Sequence, residues 1–253
     1  MDTEYQGLVV VVTGASSGIG AALAEELSRR GARLALVSRR RELLEQVAAR
    51  CAEAEVIEAD VTRRADVQRV LDSTLARFGR VDVWVNNVGR GLSRPFEDLT
   101  DDDVDTMMRD NVKTALYGMQ TVLPVFKSQG RGVIVNVSSM LGRVPYATIR
   151  SAYSASKAAL NSLTETLRLD VAADYPDIRV VLVIPGVVAT EFGVRALGGG
   201  VDSRKIPGAQ DTDEVARVMA DGMLAGPVDL YTRPEGVGPV IAHLQALVAT
   251  PPT

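Results

Sequence analysis

Leu8-Val9-Val10-Val11-Val12-Thr13-Gly14-Ala15-Ser16-Ser17-Gly18-Ile19-Gly20 is the stretch whose reading decides the fold. Its first five residues are continuously apolar and mostly β-branched, the pattern of a strand buried on both faces of a parallel sheet. A glycine-rich turn follows, and then a helical repeat carrying Leu23 and Leu27. Strand, glycine turn and helix in that order raise a glycine motif above chance. Gly14 permits a tight turn, Gly18 lets a ligand approach the backbone, and Gly20 allows helix and strand to pack closely. The start of the helix then offers free N–H groups and a positive dipole end to a pyrophosphate. A glycine turn that merely packs is the plainer alternative.

Outward from this stretch, apolar runs and helical repeats alternate to the end of the chain. Strands are expected over residues 33–37, 55–59, 81–85, 132–137, 179–184 and 228–231, with helices between them. No Pro- or Ser-rich linker divides the 253 residues. The expected fold is therefore α/β: one doubly wound Rossmann domain over 1–253, with about seven parallel strands and helices on both faces. Residues 191–210, with Gly198-Gly199-Gly200, lack clear periodicity and read as a mobile substrate lid. Residues 250–253 read as a flexible tail. Thr100 with Asp103 resembles a capping box at the start of a long helix rather than a metal site. Asn111 sits inside that helix, where asparagine is a poor former and invites a special role.

Composition narrows the function. A net charge of −4 argues against general nucleic-acid binding. Cys51 and His243 are single, so neither a disulfide within the chain nor a Cys/His metal site is expected. The N-terminus lacks a signal-peptide layout and no apolar run spans a bilayer, so the expected location is cytoplasmic, without membrane contact.

After the second strand comes Ser38-Arg39-Arg40-Arg41, with no carboxylate before Glu42. An acid at this strand end holds the ribose hydroxyls of NAD, whereas an arginine accommodates the 2′-phosphate of NADP. The reading here is NADP, through Ser38 and Arg39. Asp60 ends the third strand, suited either to the adenine amine or to capping the next helix. Asn86-Asn87 closes the fourth, where side-chain amides can hold strand ends together beneath a ribose.

Tyr153 and Lys157 stand four residues apart on one helix face. A phenol titrates near pH 10, and an ammonium about 4 Å away supplies a term of the size needed to bring it near neutrality. Only 4 of the 28 basic residues are lysine, which makes a lysine at this position mildly informative. The spacing makes an acid/base pair possible.

Seven pieces in order resemble the short-chain dehydrogenase/reductase family: T-G-A-S-S-G-I-G at 13–20, D-V at 60–61, N-N-V-G at 86–89, Asn111, S-S at 138–139, Y-S-A-S-K at 153–157 and P-G at 185–186. The resemblance implies a catalytic tetrad of Asn111, Ser139, Tyr153 and Lys157. In it Tyr153 moves the hydroxyl proton and Ser139 hydrogen-bonds the substrate oxygen. Lys157 holds the nicotinamide ribose and lowers the Tyr153 pKa, while Asn111 anchors a water. It also implies that Gly14, Ser16, Ser17, Gly18, Ile19 and Gly20 line the pyrophosphate. Ser38 and Arg39 would take the 2′-phosphate, Asp60 and Val61 flank adenine, Asn87 the ribose, and Val188 and Thr190 the carboxamide. The expected activity is NADP(H)-dependent interconversion of a small carbonyl compound and its alcohol by a homo-oligomer, dimer or tetramer; the alternatives are an NAD-preferring secondary-alcohol dehydrogenase with Arg39 merely solvated, and a non-catalytic NADP-binding regulatory protein. Expected substrate contacts are Leu92, Ser93, Met140, Arg143, Tyr146 and the 191–210 segment. Val88 stands where the family has alanine. Tyr153 follows Ser139 by 14 residues rather than 13, and alignment through Gly142 favours Ser139 over Ser138.

Overall fold

The computed structural model describes residues 4–249; the expected tail at 250–253 lies outside them. Seven parallel strands form one sheet in the order β3-β2-β1-β4-β5-β6-β7. They are β1 (Val9–Thr13), β2 (Arg33–Ser38), β3 (Ala54–Glu58), β4 (Val83–Asn86), β5 (Gly132–Val137), β6 (Ile178–Ile184) and β7 (Asp229–Tyr231). Every expected strand is present, with no end displaced by more than two residues and β5 matched at both ends.

The valine run explains the layering. Successive side chains of a strand point to opposite faces. Val10 and Val12 pack with α1 (Gly18–Arg29), α2 (Arg41–Ala48) and α7 (Thr212–Met223) through Leu23, Leu44 and Met219. Val9 and Val11 face the opposite layer, α3 (Arg64–Phe78), α5 (Thr114–Gln129) and α6 (Ser151–Ala172), through Val70, Phe126 and Leu160. Each valine so buried contributes about 1.5–3 kcal/mol against the entropy of ordering the chain. A strand sealed on both faces can afford no polar residue until it ends, so polar side chains gather at the strand ends.

The chain runs outward from β1 to β3 and then returns to lay β4 on the other side of β1. This reversal opens a crevice at the carboxyl ends of β1 and β4, where ligands of open α/β sheets bind.

The helix expected from Thr100 is broken. It begins as α4 (Asp101–Met108) with the expected reciprocal capping of Thr100 and Asp103. One π-helical turn over Arg109–Lys113 then interrupts it before α5. Asn111 lies in that turn, entirely buried. Its amide is committed to the main chain of Arg90, accepting from the N–H at 2.8 Å and donating to the carbonyl at 3.0 Å. The extra residue in the turn is the local adjustment that accompanies this inward amide.

Residues 191–210 contain one short 3-10 turn, Ser203–Lys205, and are tied down by backbone bridges from Leu197 to Leu92 and from Gln210 to Val188. The C-terminal segment is a helix, α8 (Val237–Ala249), with no buried residue. No helix among the described residues is long and apolar enough to cross a membrane.

Gly20 is the tightest point of the first turn: an added Cβ would strike the Gly14 carbonyl and lie 2.6 Å from Asn87 Nδ2. Gly20→Ala is expected to cost about 1–3 kcal/mol of stability, a Tm fall of about 2–12 °C by thermal circular dichroism. An unchanged Tm would show that α1 can shift away from β4 at no cost.

Candidate active site

The crevice is closed underneath by side chains at the strand ends. Thr13 Oγ1 donates to the Val85 carbonyl at 3.0 Å and accepts from Asn87 N–H at 3.0 Å. Asn87 Nδ2 returns a bond to the Thr13 carbonyl at 3.0 Å. Gly14 and Gly18 hold φ of 70° and 57°, a region that favours glycine. A Cβ on Gly18 would lie 3.2 Å from Thr190 Cγ2, so the chain beyond β6 faces the glycine turn closely. The first turn of α1 carries no acidic residue, and Ser17 makes no side-chain cap. That pattern of uncapped N–H groups, with glycine where a side chain would intrude, fits a dinucleotide pyrophosphate. Ile19 packs at the edge of the same core and Val188 is buried opposite.

At the end of β2 the hydroxyls and one guanidinium form a cluster. Ser38 Oγ donates to Ser16 Oγ at 2.8 Å and accepts from Arg40 N–H at 3.0 Å. Arg40 Nη2 donates to both Ser16 and Ser17 Oγ at 2.7 Å. Burial, and after it repulsion from Arg195, lowers the Arg40 pKa. These donors, with no carboxylate among the atoms they bond, could hold an anionic group of a dinucleotide. Arg40 was not singled out by sequence reasoning; the run of three arginines was its only signal. Arg39 instead is exposed and lines an open hollow with Asp60, Asp66 and Arg69. Asp60 Oδ1 accepts from Thr62 N–H and Oγ1 at 3.1 and 2.8 Å, shaping the turn before α3, whose cap is Arg63. Val61 beside it is buried.

Four residues meet beyond β5. Ser138 and Ser139 both follow that strand, and they divide their work. Ser138 Oγ bonds Asn161, whereas Ser139 Oγ accepts from Leu141 N–H at 3.2 Å and lies near enough to the Tyr153 phenol to oppose the rise of its pKa. Lys157 lies one turn beyond Tyr153 on α6, only 4% exposed, with Nζ donating to the Val137 carbonyl at 2.9 Å. Asn111 donates to Ser156 Oγ at 3.1 Å, and Ser156 in turn donates to the Tyr153 carbonyl at 2.7 Å. A Cβ on Gly89 would stand 3.0 Å from Asn111 Oδ1 and 3.3 Å from Lys157 Nζ, so the missing side chain leaves a gap between amide and ammonium.

The electrostatics differ from the simple expectation that Lys157 holds the phenol low. Burial pushes Tyr153 up to about 12, against smaller opposing contributions from Ser139 and Arg150. Burial also brings Lys157 down to about 8. The ammonium sits 5.9 Å from the phenol ring centre and is bonded to a carbonyl, so desolvation outweighs attraction in the chain alone.

On the substrate side, Leu92 and Met140 are buried, while Tyr146 is exposed. Phe192, from the 191–210 segment, packs its ring 5.6 Å from that of Tyr153. Arg143 is tied away from the cleft by Glu165 at 2.8 Å and Asp229 at 2.6 Å, where it anchors the turn after Ser139 to β7.

With this geometry in view, known proteins can be compared. The sequence profile of the family described as short chain dehydrogenase matches residues 8–196. An uncharacterised oxidoreductase of Staphylococcus epidermidis is 37% identical over 194 residues, 74% of this chain and 83% of that protein. A short chain dehydrogenase/reductase from Burkholderia phymatum, solved in complex with NAD, aligns with a TM-score of 0.87 at 26% identity, covering 99% of this chain and 98% of that one. An alcohol dehydrogenase of Thermococcus sibiricus, complexed with 5-hydroxy-NADP, gives 0.76 at 29% identity over 88% of this chain and 95% of that one. The match over most of the length, together with the glycine crevice and the Tyr153–Lys157 helix beside it, leads to one conclusion: the chain belongs to the short-chain dehydrogenase/reductase family.

Proposed function

We propose that this oxidoreductase uses NADP(H) to reduce a ketone or aldehyde to an alcohol, or to run the reverse reaction. The observation that carries the reading is the pair of neighbouring hydroxyls, Ser139 and Tyr153, with the buried Lys157 one turn along the same helix as Tyr153. Two donors aimed at one oxygen stabilise the negative charge that builds there as a carbonyl is reduced. The bound nicotinamide supplies the hydride in that direction and accepts it in the other.

Everything else is the work of this chain's own side chains. Tyr153, with its pKa near 12, keeps its proton at neutral pH and can give it to an alkoxide, which is the stronger base. Ser139 Oγ holds the substrate oxygen during the transfer. Lys157 is mostly protonated at neutral pH, since its pKa of about 8 lies above it. Its ammonium is suited to the ribose hydroxyls, and the space left by Gly89 suits a water between Lys157 and Asn111 through which a proton returns. Val188 and Thr190 would meet the carboxamide, Asn87 the ribose, and Asp60 with Val61 the adenine. The 2′-phosphate falls to Ser16, Ser38 and Arg40, with Arg39 at the outer edge.

Tyr153→Phe is expected to lower turnover by about 10²–10⁴-fold while NADPH affinity, measured by fluorescence titration, stays nearly constant; undiminished turnover would remove the tyrosine from the mechanism. Arg40→Ala should weaken NADPH by about ten- to hundredfold, the worth of a charged hydrogen bond, and leave NADH unaffected. Equal losses for both cofactors would discard the phosphate reading and favour NAD.

The lysine also makes stability depend on pH. The unfolded side chain is protonated below its ordinary 10.5, the folded one only below about 8. Between these values the unfolded state holds more protons, so stability rises with pH across that window. From about pH 7.5 to about pH 9.5, the wild type should gain on the order of 2 kcal/mol over Lys157→Met in denaturant unfolding. Parallel profiles for the two proteins would mean that burial does not depress the lysine.

A further inference from the structure

Most arginines of this chain that approach the active site are neutralised: Arg143 by Glu165 and Asp229, Arg90 by Asp110, Arg94 by Asp103, Arg195 and Arg204 by Glu191. Arg150 is the exception. It caps α6, three residues before Tyr153, a spacing that puts both on one face of the helix start. It is half-buried, and burial pulls its pKa down. Among the described residues no carboxylate pairs with it, and the one hydrogen bond of its guanidinium there is a long one, Nη1 to the Leu92 carbonyl at 3.5 Å.

The guanidinium lies between two walls of the substrate cleft. A Cβ on Gly91 would meet Arg150 Nη1 at 2.6 Å, Phe192 Cε1 at 3.0 Å and Ala196 Cβ at 3.2 Å. Phe192 is the residue whose ring packs on Tyr153. On the other side, a Cβ on Gly200 would meet the Gly193 carbonyl oxygen at 2.7 Å, Arg150 Nη2 at 3.0 Å and Ser93 Oγ at 3.2 Å. Ser93 Oγ is itself buried and has no hydrogen-bond partner. An uncompensated cation and an unsatisfied hydroxyl thus stand close to one another, the cation three residues from Tyr153.

Partial desolvation of a charge without a counter-charge is unfavourable, and buried polar atoms are rarely left without partners. Both debts are cancelled by the same occupant, an anion with oxygens to accept from a guanidinium and a hydroxyl together. A carboxylate matches the planar fork of arginine. We propose that Arg150, with Ser93, forms an anion subsite of the substrate cleft, so that the preferred substrate is a carbonyl compound carrying a carboxylate group. This rests on the reductase reading above and adds the substrate class to it.

The test uses methyl-ketone acids of the form CH3-CO-(CH2)n-COO⁻, over a range of chain lengths, each beside its own methyl ester. Turnover is followed by NADPH absorbance. Both members of a pair meet the same Tyr153, so their ratio cancels any effect of Arg150 on the tyrosine. In the wild type, at the chain length that spans the two sites, the acid should exceed its ester by about ten- to hundredfold in kcat/KM. In Arg150→Gln acid and ester should converge. Acid and ester alike in the wild type, or a preference that survives in Arg150→Gln, would overturn the proposal. If no acid and no ester is turned over, the reductase reading fails, and the subsite is then judged by calorimetry with hexanoate and hexanamide in the presence of NADP⁺. Hexanoate bound selectively by the wild type and lost in Arg150→Gln supports the anion subsite; equal binding of the two, or no hexanoate binding, overturns it.

Discussion

A buried ammonium must find an oxygen, and the site is arranged around where Lys157 finds one. Nζ donates to the carbonyl of Val137, the last residue of β5, so the middle of α6 is pinned to the carboxyl end of a central strand. Ser138 and Ser139 leave that strand at once and meet α6 again, one at Asn161 and one at Tyr153. Gly142 completes the approach: an added Cβ would lie 2.9 Å from the main chain of Lys157. Helix, strand end and serine turn are therefore one unit, and the Ser139 and Tyr153 hydroxyls inherit their relative placement from it.

The same burial sets the chemistry. Removing both groups from water disfavours both charges, which raises the phenol and lowers the amine. In the chain alone, the neutral phenol is the form ready to act. Arg150 stands nearby as a second cation that opposes the rise.

Much of this was legible in the sequence because its causes are local. A run of valines declares a strand sealed on both faces, and a glycine turn between strand and helix declares the crevice. The serine assignment was half legible: alignment through Gly142 favoured Ser139 against an irregular spacing to Tyr153, but only the fold shows Ser138 committed to Asn161. The break in the long helix was not legible. A π-helical turn at Asn111 arises from an inward amide held by Arg90, whose partnership is tertiary. Arg40 escaped notice because three consecutive arginines look alike until the Ser16 and Ser17 hydroxyls select one. Arg150 escaped for the opposite reason: what marks it is a missing partner, and absence has no sequence pattern. The 191–210 segment was read as a lid from its lack of periodicity; its backbone bridges to Leu92 and Val188 are contacts that no periodicity reports.

The π-helical turn has a consequence for how this part of the molecule can vary. One residue beyond the α-helical count turns everything before it by about 100° relative to an uninterrupted helix. α4 carries Asp103, whose carboxylate holds Arg94 at 2.8 Å, and so orients the loop that runs from the crevice to the cleft wall. Removing a single residue from 109–113 would leave the hydrophobic periodicity of α5 intact and still swing that wall away from Tyr153. Length, rather than side-chain identity, is the quantity conserved by the geometry there. A one-residue deletion in this turn is a change of direction, not a trimming.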